Sequence, residues 1–310
     1  MATKCFPVLR GRRMRLTRLD GCGRPVYAAD SVIVTKGFIS VALTADIDDG
    51  EAITVQNANG DNCINEPAVP KLNGYGVAIT FCSVEPDALA ITSGQRPYLD
   101  YTGDSAGFTV DTSVSMTDTA FALELWMGSP SADACTPGAT GSYGYMLLRF
   151  VQGGVLGDFT VENAAINFAI TTAATKTGGS WGVGPYNVVN NTTPAPAPLP
   201  RALSTTEPFL LVQTTLAPPD PFCGAQPLLN PTGTALTSIA ATPSASRNVS
   251  IAATPSNSEP WYVDFGNAVT RYNATGAAIT YQYPTGTTGS KTVTAYRGTS
   301  SKTATFTIVP

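Results

Sequence analysis

The chain has no histidine in 310 residues. Histidine is the commonest proton-transfer group near neutral pH and the commonest metal ligand. Its absence excludes Ser–His and Cys–His catalytic arrangements, and with them HExxH and Cys2His2 zinc sites. Charge is scarce too: 18 Lys and Arg with 22 Asp and Glu make 13% of the chain, about half the usual share. That excludes a bulk-basic nucleic-acid binder, while 43% hydrophobic residues exclude a disordered chain and supply a sizeable core. No apolar run approaches the about 20 residues that cross a bilayer as a helix, so no membrane insertion is expected. The opening MATKCFPVLRGRRMRL has basic residues without an apolar segment behind them, so no secretory signal is expected. The six cysteines, at 5, 22, 63, 82, 135 and 223, form no Cys-x-x-Cys pair, which removes zinc ribbons and thioredoxin-type motifs. Reduced thiols are expected, with Cys82, inside Val-Ala-Ile-Thr-Phe-Cys-Ser-Val, a buried small hydrophobe; the other five lie in loop-like contexts, open to pairing on later exposure to an oxidant.

What is present is punctuation. Gly (29) and Pro (24) separate short runs rich in Val, Ile, Thr, Phe and Tyr, the pattern of an all-β fold. Strands are expected at Ser31–Val34, Phe38–Asp46, Ala52–Gln56, Gly76–Val84, Phe121–Met127, Gly144–Val151, Asp158–Glu162, Ala165–Ala174 and Phe209–Thr215. Only Glu85–Ile91 reads as a helix, with a proline and acids in its first turn. Asn190–Pro200 is Pro-rich and reads as a loop, because proline fixes φ and donates no hydrogen bond. A second Pro-dense stretch divides the chain into a main domain at 1–216, a linker at 217–233 and a small β-sandwich at 234–310. The stretch Asn57–Asn73 is long for a connection between two strands.

Seven of the 18 basic residues lie in the first 24, opposed only by Asp20. Between Lys36 and Lys71 there is no base, against Asp46, Asp48, Asp49, Glu51, Asp61 and Glu66. Such asymmetry suits head-to-tail contact between copies. Arginines alternating along an edge strand, Arg13 and Arg15, to block edge pairing explain the basic part equally well. Asp46–Glu51 superficially resembles a calcium loop, but strands rather than helices flank it, and a tight turn between two strands explains it. The glycines at 178–184 lack the lysine and helix of a phosphate loop. Glu124, Asp158 and Glu162 are carboxylates that no spacing brings together, so no catalytic residue and no cofactor or metal is assigned.

The segments Phe121-Ala-Leu-Glu-Leu-Trp-Met-Gly128, Tyr143-Gly-Tyr-Met-Leu-Leu-Arg-Phe150 and Gly-Ser-Trp181-Gly-Val-Gly-Pro-Tyr186, with Cys223-Gly-Ala, resemble in order and spacing the major tail proteins of long-tailed actinobacterial phages. The resemblance covers roughly residues 1–230. It implies a structural protein, not an enzyme, that stacks as hexameric rings into a tail tube, its lumen one continuous β-barrel. Implied partners are further copies of the chain, a tape measure protein and a tail terminator. DNA would pass through the lumen without specific binding. The tube would be assembled in the host cytoplasm and carried in the virion. A lumen must not retain a polyanion, so Asp46, Asp48, Asp49 and Glu51 are candidate lumen residues. Arg10, Arg12, Arg13, Arg15, Asp61 and Glu66 are candidate inter-ring contacts, and the 57–73 stretch is expected to reach a neighbouring subunit.

Trp261-Tyr-Val-Asp264-Phe-Gly266, Tyr281-Gln-Tyr283-Pro and Gly289-Ser-Lys-Thr-Val-Thr-Ala-Tyr296 resemble a PKD-type immunoglobulin-like domain. Asn267 and Lys291 depart from that pattern, which leaves the fold but not an inherited binding role. The resemblance implies a sandwich core of Trp261, Phe265, Tyr281 and Tyr296, projecting from the tube and in weak contact with host surface glycans. The competing class is a secreted or surface carbohydrate-binding adhesin.

Overall fold

The computed structural model describes residues 10–27, 30–82, 85–101, 105–117, 119–128, 143–159, 167–228, 234–256, 259, 261–266, 270–273, 276–297 and 300–310. These residues are nearly all β. The first part comprises β1 (Arg10–Leu19), β2 (Val32–Thr35), β3 (Phe38–Asp48), β4 (Ile53–Gln56), β5 (Asn62–Glu66), β6 (Lys71–Phe81), α1 (Pro86–Ser93), β7 (Pro97–Leu99), β8 (Ser105–Phe108), β9 (Ala120–Gly128) and β10 (Tyr143–Gln152). It continues with β11 (Val155–Leu156), β12 (Phe168–Thr175), β13 (Val189–Asn190), β14 (Pro196–Ala197) and β15 (Phe209–Thr214).

The main sheet runs β2-β1-β9-β10-β12-β6-β3, with β15 also on β10 and β11 on β12. Its middle strands are apolar on both faces because both faces are covered. From Ala120 to Trp126 every residue of β9 is buried, Glu124 included, as a strand covered on both faces requires. On one side Leu16, Leu123 and Leu148 pack against Ile79 and Phe81 of β6 and Leu89 and Ile91 of α1. On the other, Trp126, Tyr145 and Leu147 pack under Trp181, Val188 and Leu199. The helix starts with Pro86 and Asp87 in its first turn and ends at Gly94, whose left-handed φ of 73° lets its N–H bond Ala90 O, a geometry glycine adopts freely. The Pro-rich 190–200 stretch does turn back within this part, as the short pair β13–β14.

Several expectations need correcting. Strand β1 is not an edge strand, since it pairs β2 on one side and β9 on the other. The acidic stretch after β3 is not a hairpin tip, because β3 pairs β6 and β4 pairs β5. The 57–73 stretch is not one loop, since it contains β5 and the start of β6. Cys82 is exposed, as β6 ends at Phe81. Of the strand expected at Asp158–Glu162, Asp158 and Phe159 lie outside any strand, and 160–162 lie outside the described residues. Cys5 and Cys135 also lie outside them. The Pro-dense stretch 217–233 is not all linker, because its residues 222–226 bond the free side of β2. Phe222 N–H donates to Val34 O at 3.1 Å, Gln226 N–H donates to Val32 O at 2.8 Å, and Gln226 O accepts from Val32 N at 3.0 Å.

The C-terminal part comprises β16 (Ser238–Ser244), β17 (Asn248–Thr254), β18 (Trp261–Asp264), β19 (Thr270–Asn273), β20 (Ile279–Gln282), β21 (Ser290–Arg297) and β22 (Ser300–Thr307). They form two sheets, β16-β17-β20 and β19-β18-β21-β22, around a separate apolar core. Trp261 and Phe265 are fully buried there and Tyr281 nearly so. Tyr296 is not in that core. On β21, Val293 and Ala295 point inward, so strand alternation turns Tyr296 out. Tyr283 takes the core position, its hydroxyl donating to Phe265 O at 2.7 Å.

Candidate assembly surface

Strands β3 and β6 pair from Phe38–Phe81 out to Asp48–Lys71. The partner of β6 on its other side, β12, ends at the Ala174–Gly76 pair. Beyond that point two strands run on alone, and the β4–β5 hairpin extends them. Every residue of β4 and β5 is exposed, as is β3 from Thr44 onward. Such a ribbon has no core of its own. It nevertheless carries Ile47, Ile53, Val55, Ile64, Val69 and Leu72, each 46–78% exposed. A concentration of exposed aliphatics on one projection makes it a candidate contact surface.

The same arm holds Asp46, Asp48, Asp49, Glu51, Asp61 and Glu66, all exposed. Asp48 Oδ1 accepts from Gly50 N at 3.0 Å and turns the chain out of β3. At the tip, Asn57 Oδ1 accepts from Asn59 N and Asp61 N, both at 2.9 Å, and Asn57 Nδ2 donates to Asp61 Oδ2. These groups satisfy one another and shape the turn. Among the described residues no three His, Cys, Asp or Glu side chains are grouped to hold a metal.

Alternation along β3 and β6 sends Val41, Leu43, Val77 and Ile79 into the core. The opposite face of these two strands shows Ser40, Ala42 and Thr44 beside Thr80, Ala78 and Gly76. It is small-chained, and the sole base on either strand is Lys71, at the arm end.

The arginine-rich start of the chain splits into two kinds. Arg10 and Arg12 are exposed and Arg13 half-buried, around a break in register between Gly11 and Arg13. Arg12 and Arg13 line a pocket of about 360 Å³ with Tyr143, Pro218 and Asp220. Arg15 is not available as a contact between copies. It is 7% exposed and forks onto Glu124, Nε to Oε2 at 2.5 Å and Nη2 to Oε1 at 2.6 Å. Tyr145 donates to Glu124 Oε1 at 2.6 Å, and the guanidinium lies 3.3 Å over the ring of Tyr186, with Trp126 at 4.8 Å. Burial alone would weaken the Arg15 cation, but Glu124 outweighs it and raises its pKa. Burial, reinforced by Glu124, pushes the Tyr145 phenol well above its usual range. Two planar donors and two acceptors satisfied in a dry site fix the register of β1 against β9. One sequence signal pointed to it: Glu124 interrupts an otherwise apolar strand.

A second buried cation was not legible at all. Arg149 is 1% exposed and donates to three backbone carbonyls, Glu207 at 2.8 Å, Gly179 at 3.0 Å and Thr205 at 2.6 Å. It ties two loops to β10, and burial lowers its pKa.

No known family model matches the chain, and no curated protein matches it.

Proposed function

We propose that the chain is a self-assembling structural protein, the tube-forming subunit of a long phage tail, through which DNA leaves the virion. The observation that carries this reading is the arm of β3–β6 and β4–β5, with aliphatics and acids exposed together on a projection that has no core. In a lone protein such a ribbon is an aggregation hazard; in an assembly a neighbouring copy covers it. Arg10, Arg12 and Arg13 offer the opposite charge, which would favour head-to-tail contact over like-to-like contact.

The edge of β3 supports the same reading. It is an 11-residue strand with no lysine, arginine or proline to block pairing. A ring of copies joined at their sheets abolishes such edges. The face of Ser40, Ala42, Thr44, Gly76, Ala78 and Thr80 would then line the lumen, with Asp46, Asp48, Asp49 and Glu51 at its margin. DNA slides over a surface without cations, because no phosphate contact releases counterions there. The C-terminal part is read as an immunoglobulin-like sandwich, on the strength of its two sheets around Trp261, carried on the outside of the tube.

Negative-stain electron microscopy of the purified full chain at high concentration tests the proposal. Rings or tubes with a central channel are expected, and an antibody to the chain should decorate a phage tail along its whole length. Monomers that stay monomeric, together with no decoration, would remove the reading in favour of a surface adhesin.

A further inference from the structure

We propose that Cys82 and Cys223 form a thiol pair that closes into a disulfide once the protein meets an oxidising medium. The pair would pin the segment carrying the C-terminal part to the main sheet. The two cysteines come from remote stretches of chain, yet both are exposed and both line one cleft of about 880 Å³. Val34, Lys36, Glu85 and Phe222 are among the residues of its wall.

Four hydrogen bonds bring the two stretches to that cleft. Cys82 N donates to Gly37 O in the β2–β3 turn at 3.0 Å, and Phe222 N donates to Val34 O on β2 at 3.1 Å. Glu85 Oε1 accepts from Gly224 N at 2.9 Å, and Asp87 Oδ2 accepts from Ala225 N at 2.9 Å. The residue after Cys223 is thus bonded to a side chain three positions after Cys82. The same stretch also bonds the edge of β2 through Phe222 and Gln226.

The chemistry is thiol–disulfide exchange with a small-molecule disulfide such as oxidised glutathione. One cysteine thiolate attacks a glutathione sulfur, forming a mixed disulfide and expelling one glutathione thiolate. The second cysteine thiolate attacks the protein sulfur of that bond and expels the other. Two thiol protons pass to the two departing thiolates, and two electrons pass from the protein pair to the oxidant. The reducing cytosol keeps the pair open. That it closes after release from the cell rests on the virion reading above; that it closes in oxidised glutathione does not.

The test is peptide mapping by mass spectrometry of the full chain, purified reduced and then held in oxidised glutathione. The expected product joins the peptides of Cys82 and Cys223 with loss of two hydrogens, and raises the melting temperature by several degrees. In Cys82→Ser, Cys223 should instead carry a glutathione adduct and the rise should vanish; Cys223→Ser should give the mirror result. Separate adducts on both cysteines of the unaltered chain, or preferential links to the exposed Cys22 or Cys63, would overturn the proposal. Assembly is scored separately under reductant, so a protein that forms tubes but no clasp, or a clasp but no tubes, tells the two readings apart.

Discussion

The two ends of the main sheet are treated in opposite ways. At the β2 end the last strand is covered: residues 222–226 bond its free side, and Leu228 packs on Val32 and Val34. At the β3 end nothing among the described residues pairs the strand, and it runs out into an exposed ribbon. A covered edge serves the subunit's own stability. An uncovered edge that keeps its aliphatics and carries no lysine, arginine or proline fits the proposed pairing with another copy. Substitutions at the closed end and in the interior should therefore unfold the subunit, and substitutions at the open end should leave it folded but alone.

The largest expected effect is in the interior that anchors the covered half. Glu124→Ala leaves the Arg15 cation buried without its counter-charge and should cost about 3–5 kcal/mol, read as a fall in the denaturation midpoint. Replacing both residues with apolar ones of similar size should recover most of that loss. If Glu124→Ala alone were neutral, the buried pair would not be what locks β1 to β9. Next comes the covering of β2. Leu228 is 5% exposed, and Leu228→Ala should cost about 2–4 kcal/mol and speed amide exchange at Val32 and Gln226. A neutral result would mean that the strap adds nothing, and the contrast between the two ends would lose its energetic basis.

At the open end the expectation reverses. Ala42→Lys places a charge on the outward face of an exposed strand and should change stability by less than about 0.5 kcal/mol, while abolishing rings and tubes by electron microscopy. Asp48→Lys with Asp49→Lys should be equally mild for the fold and should leave tubes formed, with DNA delivery impaired. Loss of folding in either variant would show that the open end is part of the subunit's own core.

How much of this was legible in the sequence follows from the range of the interactions. Strands with strong local signals, such as β9 and β10, appear where apolar and β-branched runs end in Gly or Pro. The helix was legible from Pro86 and its first-turn acids. Pairing partners were not, because they are set by contacts remote in sequence: Arg13 and Arg15 look like edge guards until β9 is laid beside them. The acidic stretch read as a tight turn between two strands, but β3 pairs β6 rather than β4, so that turn is not a hairpin tip. Tyr296 failed by strand parity, one position off the inward Ala295. Cys82 failed because its apolar run continues past Phe81, where β6 ends.

The smallest effect concerns a loop that covers the sheet's face, not its edges. Arg201 and Glu207 form an exposed fork, Nη1–Oε2 at 2.8 Å and Nη2–Oε1 at 2.7 Å, and Glu207 Oε2 also accepts from Ser204 N at 2.6 Å. The Arg201 hydrogen bonds, with Ser204 N–H second, hold the Glu207 carboxyl at about 2. A lowered carboxylate pKa contributes stability above its unfolded value of about 4.3 and loses it as pH falls toward 2. The Ser204 amide shift should therefore titrate near 2 in the folded protein and move up toward the ordinary glutamate range in Arg201→Ala. Because the same loop supplies Thr205 O and Glu207 O to the buried Arg149, its backbone should keep its place above pH 4 even in that variant. A midpoint near 4.3 in the unaltered protein would mean that the exposed fork does no more than an ordinary surface pair, and that Arg149 alone holds the loop on the sheet.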